Sequence, residues 1–124
     1  MAVRKLLQPE SLPTPTACYS QGIEISGKRM VFVAGQFPVD KSGSVVEGGF
    51  ESQTTQVFEN IKAVLADAKA SFDDVVKLNI YVTDVKSLPL VQEVRSKYLT
   101  SPYPATTLVE ISALANPKAL VEIE

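Results

Sequence analysis

The sequence predicts an α+β fold in the order β-β-α-β-α-β-β, a single domain with two helices on one face of a mixed sheet. Three observations predict it. Residues 75–83, VVKLNIYVT, are dense in β-branched and aromatic residues and read as a strand. Between Phe50 and Ala70, the residues Val57, Ile61, Val64, Leu65 and Ala68 recur at helical spacing. At the end of the chain, Thr107–Ile111 and Leu120–Glu124 alternate in polarity around the turn-rich Ala113–Lys118. A chain of 124 residues fits one domain.

The remaining elements follow in order. Met1–Thr16 holds Pro9, Pro13 and Pro15 and reads as an N-terminal arm lying over the domain. Tyr19–Ile25 reads as a strand, and Ser26-Gly27-Lys28 as a hairpin turn. Arg29–Gly35, RMVFVAG, is a continuous apolar run, which predicts a strand buried on both faces. Gln36–Gly49 is a polar loop. Phe50–Ala70 is the first helix, and Ser71-Phe72-Asp73-Asp74 the turn out of it. Ser87 is an expected N-cap, with Pro89 in the first turn of a helix reaching about Leu99. Val91, Val94 and Tyr98 form its apolar stripe, and Glu93–Lys97 is an i,i+4 pair. Two helices cover only one face of a sheet. The other face needs a partner, and a second copy is the simplest one.

Composition narrows the chemistry. The net charge is −2 and there is no long basic run, so neither a nucleic acid nor an anionic membrane is the expected partner. The single Cys18 forms no internal disulfide, which fits a reducing, cytoplasmic location. With no histidine, Ser-His-Asp and Cys-His machinery are excluded, as is a histidine zinc site. Gly48-Gly49 lacks the Lys-Ser/Thr of a phosphate loop. No metal, nucleotide or other cofactor is expected.

Seven strings in order resemble the reactive-intermediate deaminase (Rid) family, whose members are also labelled endoribonuclease L-PSP or translation initiation inhibitor. They are Tyr19-Ser20-Gln21-Gly22, Val33-Ala34-Gly35-Gln36-Phe37-Pro38-Val39, Asn60-Ile61-Lys62-Ala63-Val64-Leu65, Val75-Val76-Lys77, Tyr81-Val82-Thr83-Asp84, Tyr103-Pro104-Ala105 and Val121-Glu122-Ile123-Glu124. The resemblance implies a chorismate-mutase-like fold assembled as a homotrimer with clefts between subunits. It also implies cofactor-free hydrolysis of reactive enamines and imines to a carbonyl compound and ammonia. Carried onto this sequence, Glu122 is the water-positioning carboxylate, Tyr19, Gly35 and Gln36 shape the cleft, and Gln92 stands where relatives often have asparagine.

One position departs sharply. The family has an arginine after Pro-Ala that grips a substrate carboxylate; here Thr106 follows Pro104-Ala105. A guanidinium offers two charge-assisted hydrogen bonds, a threonine hydroxyl one neutral donor. Removing one side of such a buried pair costs about 2–5 kcal/mol. Thr106 therefore implies altered or lost carboxylate recognition, with Arg29 and Arg95 as candidate substitutes against a favoured reading as solvated charges. Glu122 has the alternative reading of a solvated strand face, Tyr19 of a core or interface aromatic, and Thr106 and Thr107 of plain β-formers. Cys18 reads as a small buried apolar residue, and Glu110, Glu124 and Asp73-Asp74 as structural or surface acids. The expected function is enamine/imine deamination. A non-catalytic metabolite-binding homotrimer is the alternative, and an endoribonuclease is disfavoured by the missing histidine and basic stripe.

Overall fold

The computed structural model describes residues 3–27 and 29–124. Its elements are β1 (Val3–Leu7), β2 (Gly22–Ser26), α1 (Gly49–Asp67), β3 (Lys77–Val82), α2 (Leu88–Ser96), β4 (Ala105–Glu110) and β5 (Val121–Ile123). β3 is central in a mixed sheet of order β4-β3-β5. It runs parallel to β4, as a crossover through α2 requires, and antiparallel to β5. Along β3, Leu78, Ile80 and Val82 are buried, and Val121 and Ile123 join them from β5. The intervening Asn79, Tyr81 and Glu122 turn to the opposite, open face, because strand side chains alternate.

The helices cover the apolar face. α1 contributes Val57, Phe58, Ile61 and Leu65, and α2 contributes Val91 and Val94. Val64, expected on the buried stripe, is exposed; Phe58 takes that place. α1 ends at Asp67, short of Ala70, because Lys69 adopts a left-handed φ of 57° that stops the helix. It starts after Gly48, whose φ of 107° suits glycine alone, and a Cβ there would lie 2.9 Å from Ser52. Ser87 precedes α2 but makes no side-chain cap; its hydroxyl donates to the Asp84 carbonyl at 2.6 Å. Phe58 stacks on Tyr98 with centroids 5.0 Å apart, and Phe72 packs edge-on to Tyr98 at 5.5 Å. Tyr98 also donates to Glu59 at 2.8 Å, and burial followed by that carboxylate pushes the phenol up to about 12.

The N-terminal half departs from the expected pairing. Residues within the expected arm form β1, which pairs antiparallel with β2 in the register Val3↔Ser26 to Leu7↔Gly22. The three prolines fall in the link between these strands, where they break no ladder. Arg4 fastens the pair to the domain through the carbonyls of Val75 and Pro102, at 3.2 and 3.1 Å. Of the expected turn, Ser26 closes β2 and Lys28 lies outside the described residues.

Arg29–Gly35 forms no strand, and its apolar run is not buried on two faces. Met30 and Phe32 are 68% and 85% exposed, and only Val33 packs on the core. The reason is a missing neighbour: beyond β5 the sheet continues only as an isolated bridge at Gln36↔Ile123, so the run has no partner strand to lie against. A cleft of about 650 Å³ opens between this segment and the ends of α1 and β3, lined by Ile61, Leu65 and Val75. Among the described residues no helix is long and apolar enough to cross a membrane.

Phe58 is fully buried between both helices, so Phe58→Ala is expected to lower stability by about 3–5 kcal/mol in urea unfolding. Tyr98→Phe, which keeps the ring and loses one hydrogen bond, is expected to cost only about 0.5–1.5 kcal/mol. Equal losses in the two variants would show that the hydroxyl, not the stacked rings, holds α1 to α2.

Candidate active site

Glu122 sits at the middle of β5 on the open face, opposite Tyr81. It is half-buried, and its carboxylate makes no hydrogen bond to any described residue. Burial, then the charge of Glu124, pushes its pKa above the ordinary carboxylate value. The carboxylate lies against the backbone of Gly35. A Cβ built on Gly35 would collide with Glu122 Oε1, so any larger residue there would push the carboxylate aside. Gln36 exchanges both backbone hydrogen bonds with Ile123, at 2.8 and 3.3 Å, and its side-chain amide donates to the Ala34 carbonyl. Glu122, Gly35 and Gln36 therefore come together at the β5 margin of the sheet.

The neighbouring acids differ in their bonding. Glu124 accepts from Asn79 at 3.1 Å and from Tyr81 at 3.0 Å. Glu110 accepts from the Val85 amide, and Asp74 from the Ser71 amide within a capping box. These acids hold backbone and neighbouring side chains, as structural residues do.

Tyr19 lies at the other margin. Ser20, next in sequence, bridges to Ala105 in parallel; its amide donates to Pro104 at 3.0 Å and its hydroxyl to the Tyr103 carbonyl. From this edge across β4, β3 and β5 to Gln36 is four strand spacings, about 19 Å. Thr106 pairs with Leu78 and so points to the helix-covered face, away from Glu122. Its hydroxyl donates to Pro104 at 3.2 Å. Thr107 faces the open side and accepts from Lys77 at 2.9 Å. Gln92 is half-buried on α2.

The two arginines diverge. Arg29 is exposed and donates to the Ala68 carbonyl at 2.8 Å, which ties it to the end of α1. Arg95, expected as a solvated charge, is only 3% exposed. It occupies the buried stripe of α2 with Val91 and Val94, near Cys18 and Tyr19. Cys18 is half-buried, and its electrostatic influence raises the pKa of the Tyr103 phenol.

Sequence reasoning missed two residues that fix Glu122 in place. Buried Gln53 accepts from the Leu120 amide at 2.8 Å and donates to the Lys118 carbonyl at 3.2 Å, clamping the entry to β5. Asn60 donates to the carbonyls of Phe37 and Val39, at 3.0 and 2.9 Å, and holds the chain just past Gly35-Gln36. The available signal was their spacing: positions 53, 57, 60 and 61 lie on one helix face, where polar side chains need buried partners.

Comparison with known proteins follows this geometry. Residues 9–124 match the family described as Endoribonuclease L-PSP. A RutC family protein of Pyrococcus abyssi is 41% identical over 98% of this chain and 94% of its own length. A protein of Dermatophagoides farinae named 2-iminobutanoate/2-iminopropanoate deaminase is 31% identical over 100% of this chain and 95% of its own. A crystal structure from Yersinia pestis, described as a protein of unknown function of the conserved Rid family, superposes with a TM-score of 0.88 at 31% identity, covering 97% of this chain and 94% of that one. With this sequence match and this shared fold, the chain belongs to the Rid family, also described as Endoribonuclease L-PSP.

Proposed function

We propose that the protein hydrolyses small reactive enamines or imines to a carbonyl compound and ammonia, with Glu122 handling the water. The observation that carries this reading is the Glu122 carboxylate: half-buried, without a hydrogen-bond partner among the described residues, and lying on Gly35. The deaminase name of the 31% identical relative supports the same chemistry. Glu122 accepts a proton from water as the oxygen bonds to the imine carbon. That proton goes to the nitrogen and leaves a carbinolamine; the hydroxyl proton then passes through Glu122 to the same nitrogen, the C–N bond breaks, and ammonia leaves as the C=O forms. A raised pKa suits a group that must take a proton and give it back. The Gly35 backbone and the Gln36 side-chain amide orient the substrate beside Glu122.

Tyr19 and Gln92 belong to the second half of this proposed site, and Thr106, lacking the arginine fork, leaves its carboxylate recognition altered. One chain holds the halves at opposite margins, so the proposal includes a homotrimer of chorismate-mutase-like architecture, in which the β5 margin of one copy meets the Tyr19 margin of the next. The exposed Met30 and Phe32 beside the β5 margin supply apolar surface for that contact. Non-catalytic metabolite binding is the second reading, favoured by Thr106 alone.

Glu122→Gln is expected to lower ammonia release from imines generated in situ by about 10²–10⁴-fold. A variant as active as the parent across neutral, aromatic and acidic imines sinks the hydrolytic reading. The same variant has a stability signature. The Glu122 pKa is raised above its ordinary 4.5, so the folded state binds the proton more tightly than the unfolded chain. Its contribution is full below pH 4.5 and is lost as pH rises through the raised value. Urea titrations should therefore show Glu122→Gln gaining on the parent as pH rises through that window, and a gain independent of pH contradicts the burial.

Gly35→Ala drives a methyl group into the carboxylate and should cut kcat by about 100-fold with the fold retained, since an ångström-scale displacement at a reacting group costs that much. Sedimentation equilibrium is expected to give three times the chain mass of 13.4 kDa; a monomer that is fully active overturns the interfacial site.

A further inference from the structure

The cleft of about 650 Å³ lies in line with β5. One wall is residues 30–33 and the other is residues 75–79; Ile61 and Leu65 of α1 close the bottom, and Glu124 stands at the β5 end. β5 shows what fits such a place. Ile123 bonds to Gln36 on one side and pairs with Ile80 on the other, so β5 fills a lane one strand wide. The cleft continues that lane past Glu124.

The backbone of the β3 wall is set for pairing. Asn79 exchanges both backbone hydrogen bonds with Glu124, at 2.9 and 3.0 Å. Backbone groups alternate sides along a strand, so the N–H and C=O of Lys77, two residues back, point into the same lane. The β4 side does not use them: there Ala105 donates to the Val76 carbonyl at 3.0 Å. Among the described residues no strand pairs with Lys77 on the cleft side. An open edge of this kind takes up an extended peptide through its main chain.

The same register assigns the side chains. In β5, Val121 and Ile123 are buried against the helices, while Glu122 and Glu124 face the open side. A strand that continues the lane sets one residue beside buried Leu78, above Ile61 and Leu65, and the next opposite Lys77 on the open face. The first position calls for an apolar side chain. Along the cleft the cations Arg29, Lys69 and Lys77 outnumber the acids Asp74 and Glu124, so an acid suits the second.

We propose that the cleft docks an extended segment of another polypeptide, which adds as a strand antiparallel to β3 and alternates apolar with acidic residues. The proposal goes beyond the hydrolytic reading and stands independently of it.

The probe is the pentapeptide Val-Glu-Val-Ser-Val, amidated at its C-terminus and titrated calorimetrically into the parent protein. One probe is expected to bind per chain. N-methylation of the probe's glutamate blocks the bond to the Lys77 carbonyl and should weaken binding at least about 5-fold. The same residues in the order Val-Val-Glu-Ser-Val break the alternation and should also bind more weakly. Lys77→Pro removes the other bond; proline is tolerated at the first residue of a strand, and the β4 pairing does not need this N–H. It should lose more affinity than Lys77→Gln, which removes only the charge. Amide hydrogen exchange supplies a second reading, with Lys77 N–H protected only when the probe is present. Absence of binding at millimolar probe overturns the proposal. So does equal affinity for the N-methylated or reordered peptide, which assigns any binding to apolar contact alone. A Lys77 amide protected without probe makes a second copy the occupant and also overturns it. Should Lys77→Pro fail to fold, the modified peptides and the exchange of the parent protein decide.

Discussion

The candidate site depends on how α1 grips β5. That strand has three residues and owes much of its position to Gln53, whose amide binds the Leu120 N–H and the Lys118 carbonyl from a buried helix position. Losing such a partner strands buried backbone groups at about 1–3 kcal/mol each. Two turns further on, Asn60 holds the carbonyls of Phe37 and Val39. Val57 and Ile61 share that side of the helix and anchor it in the core. Apolar packing thus sets where α1 lies, and two amides transmit that position to the backbone on either side of Glu122. The close approach of Gly35 to the carboxylate follows from both clamps together.

Polar satisfaction divides the charged residues into two kinds. Asp74, Glu110 and Glu124 each accept hydrogen bonds that close a turn or join strands. Glu122 and Arg95 do not, although both lose water on folding. A desolvated charge without a partner lowers stability, and chains keep such groups mainly where a ligand supplies the missing contact.

Much of this architecture is legible in the sequence because it rests on local periodicity. The period-two pattern of residues 77–82 and the helical spacing of Val57, Ile61 and Leu65 specify β3 and α1 almost to their ends. What local pattern does not carry is pairing. VRKLL joins β2, although its neighbouring prolines suggested an arm, because the prolines stop short of residue 7. RMVFVAG has the composition of a buried strand but finds no second edge to join. The face of Thr106 depends on its register with Leu78, a contact between distant segments, and one residue of slip would reverse it. Arg95 was readable after all. It falls at i+4 from Val91 on a stripe whose other members are buried, and that spacing outweighs the usual expectation that arginine is solvated.

The separation of the two half-sites also constrains the proposed assembly. Tyr19 and Glu122 belong to opposite margins of a stiff sheet, three strand spacings apart, and no rotamer change closes such a gap. If a second copy completes the site, the surfaces in contact are different: the β5 margin of one chain against the Tyr19 margin of another. Contacts of that kind are head-to-tail, and each copy still presents one unused margin after the first contact forms. A two-fold dimer pairs identical patches and leaves this mismatch unresolved, whereas a closed ring satisfies every margin once. Each interface of such a ring would pair one Glu122 margin with one Tyr19 margin from different copies, so the ring would have as many paired sites as chains and a lone chain none.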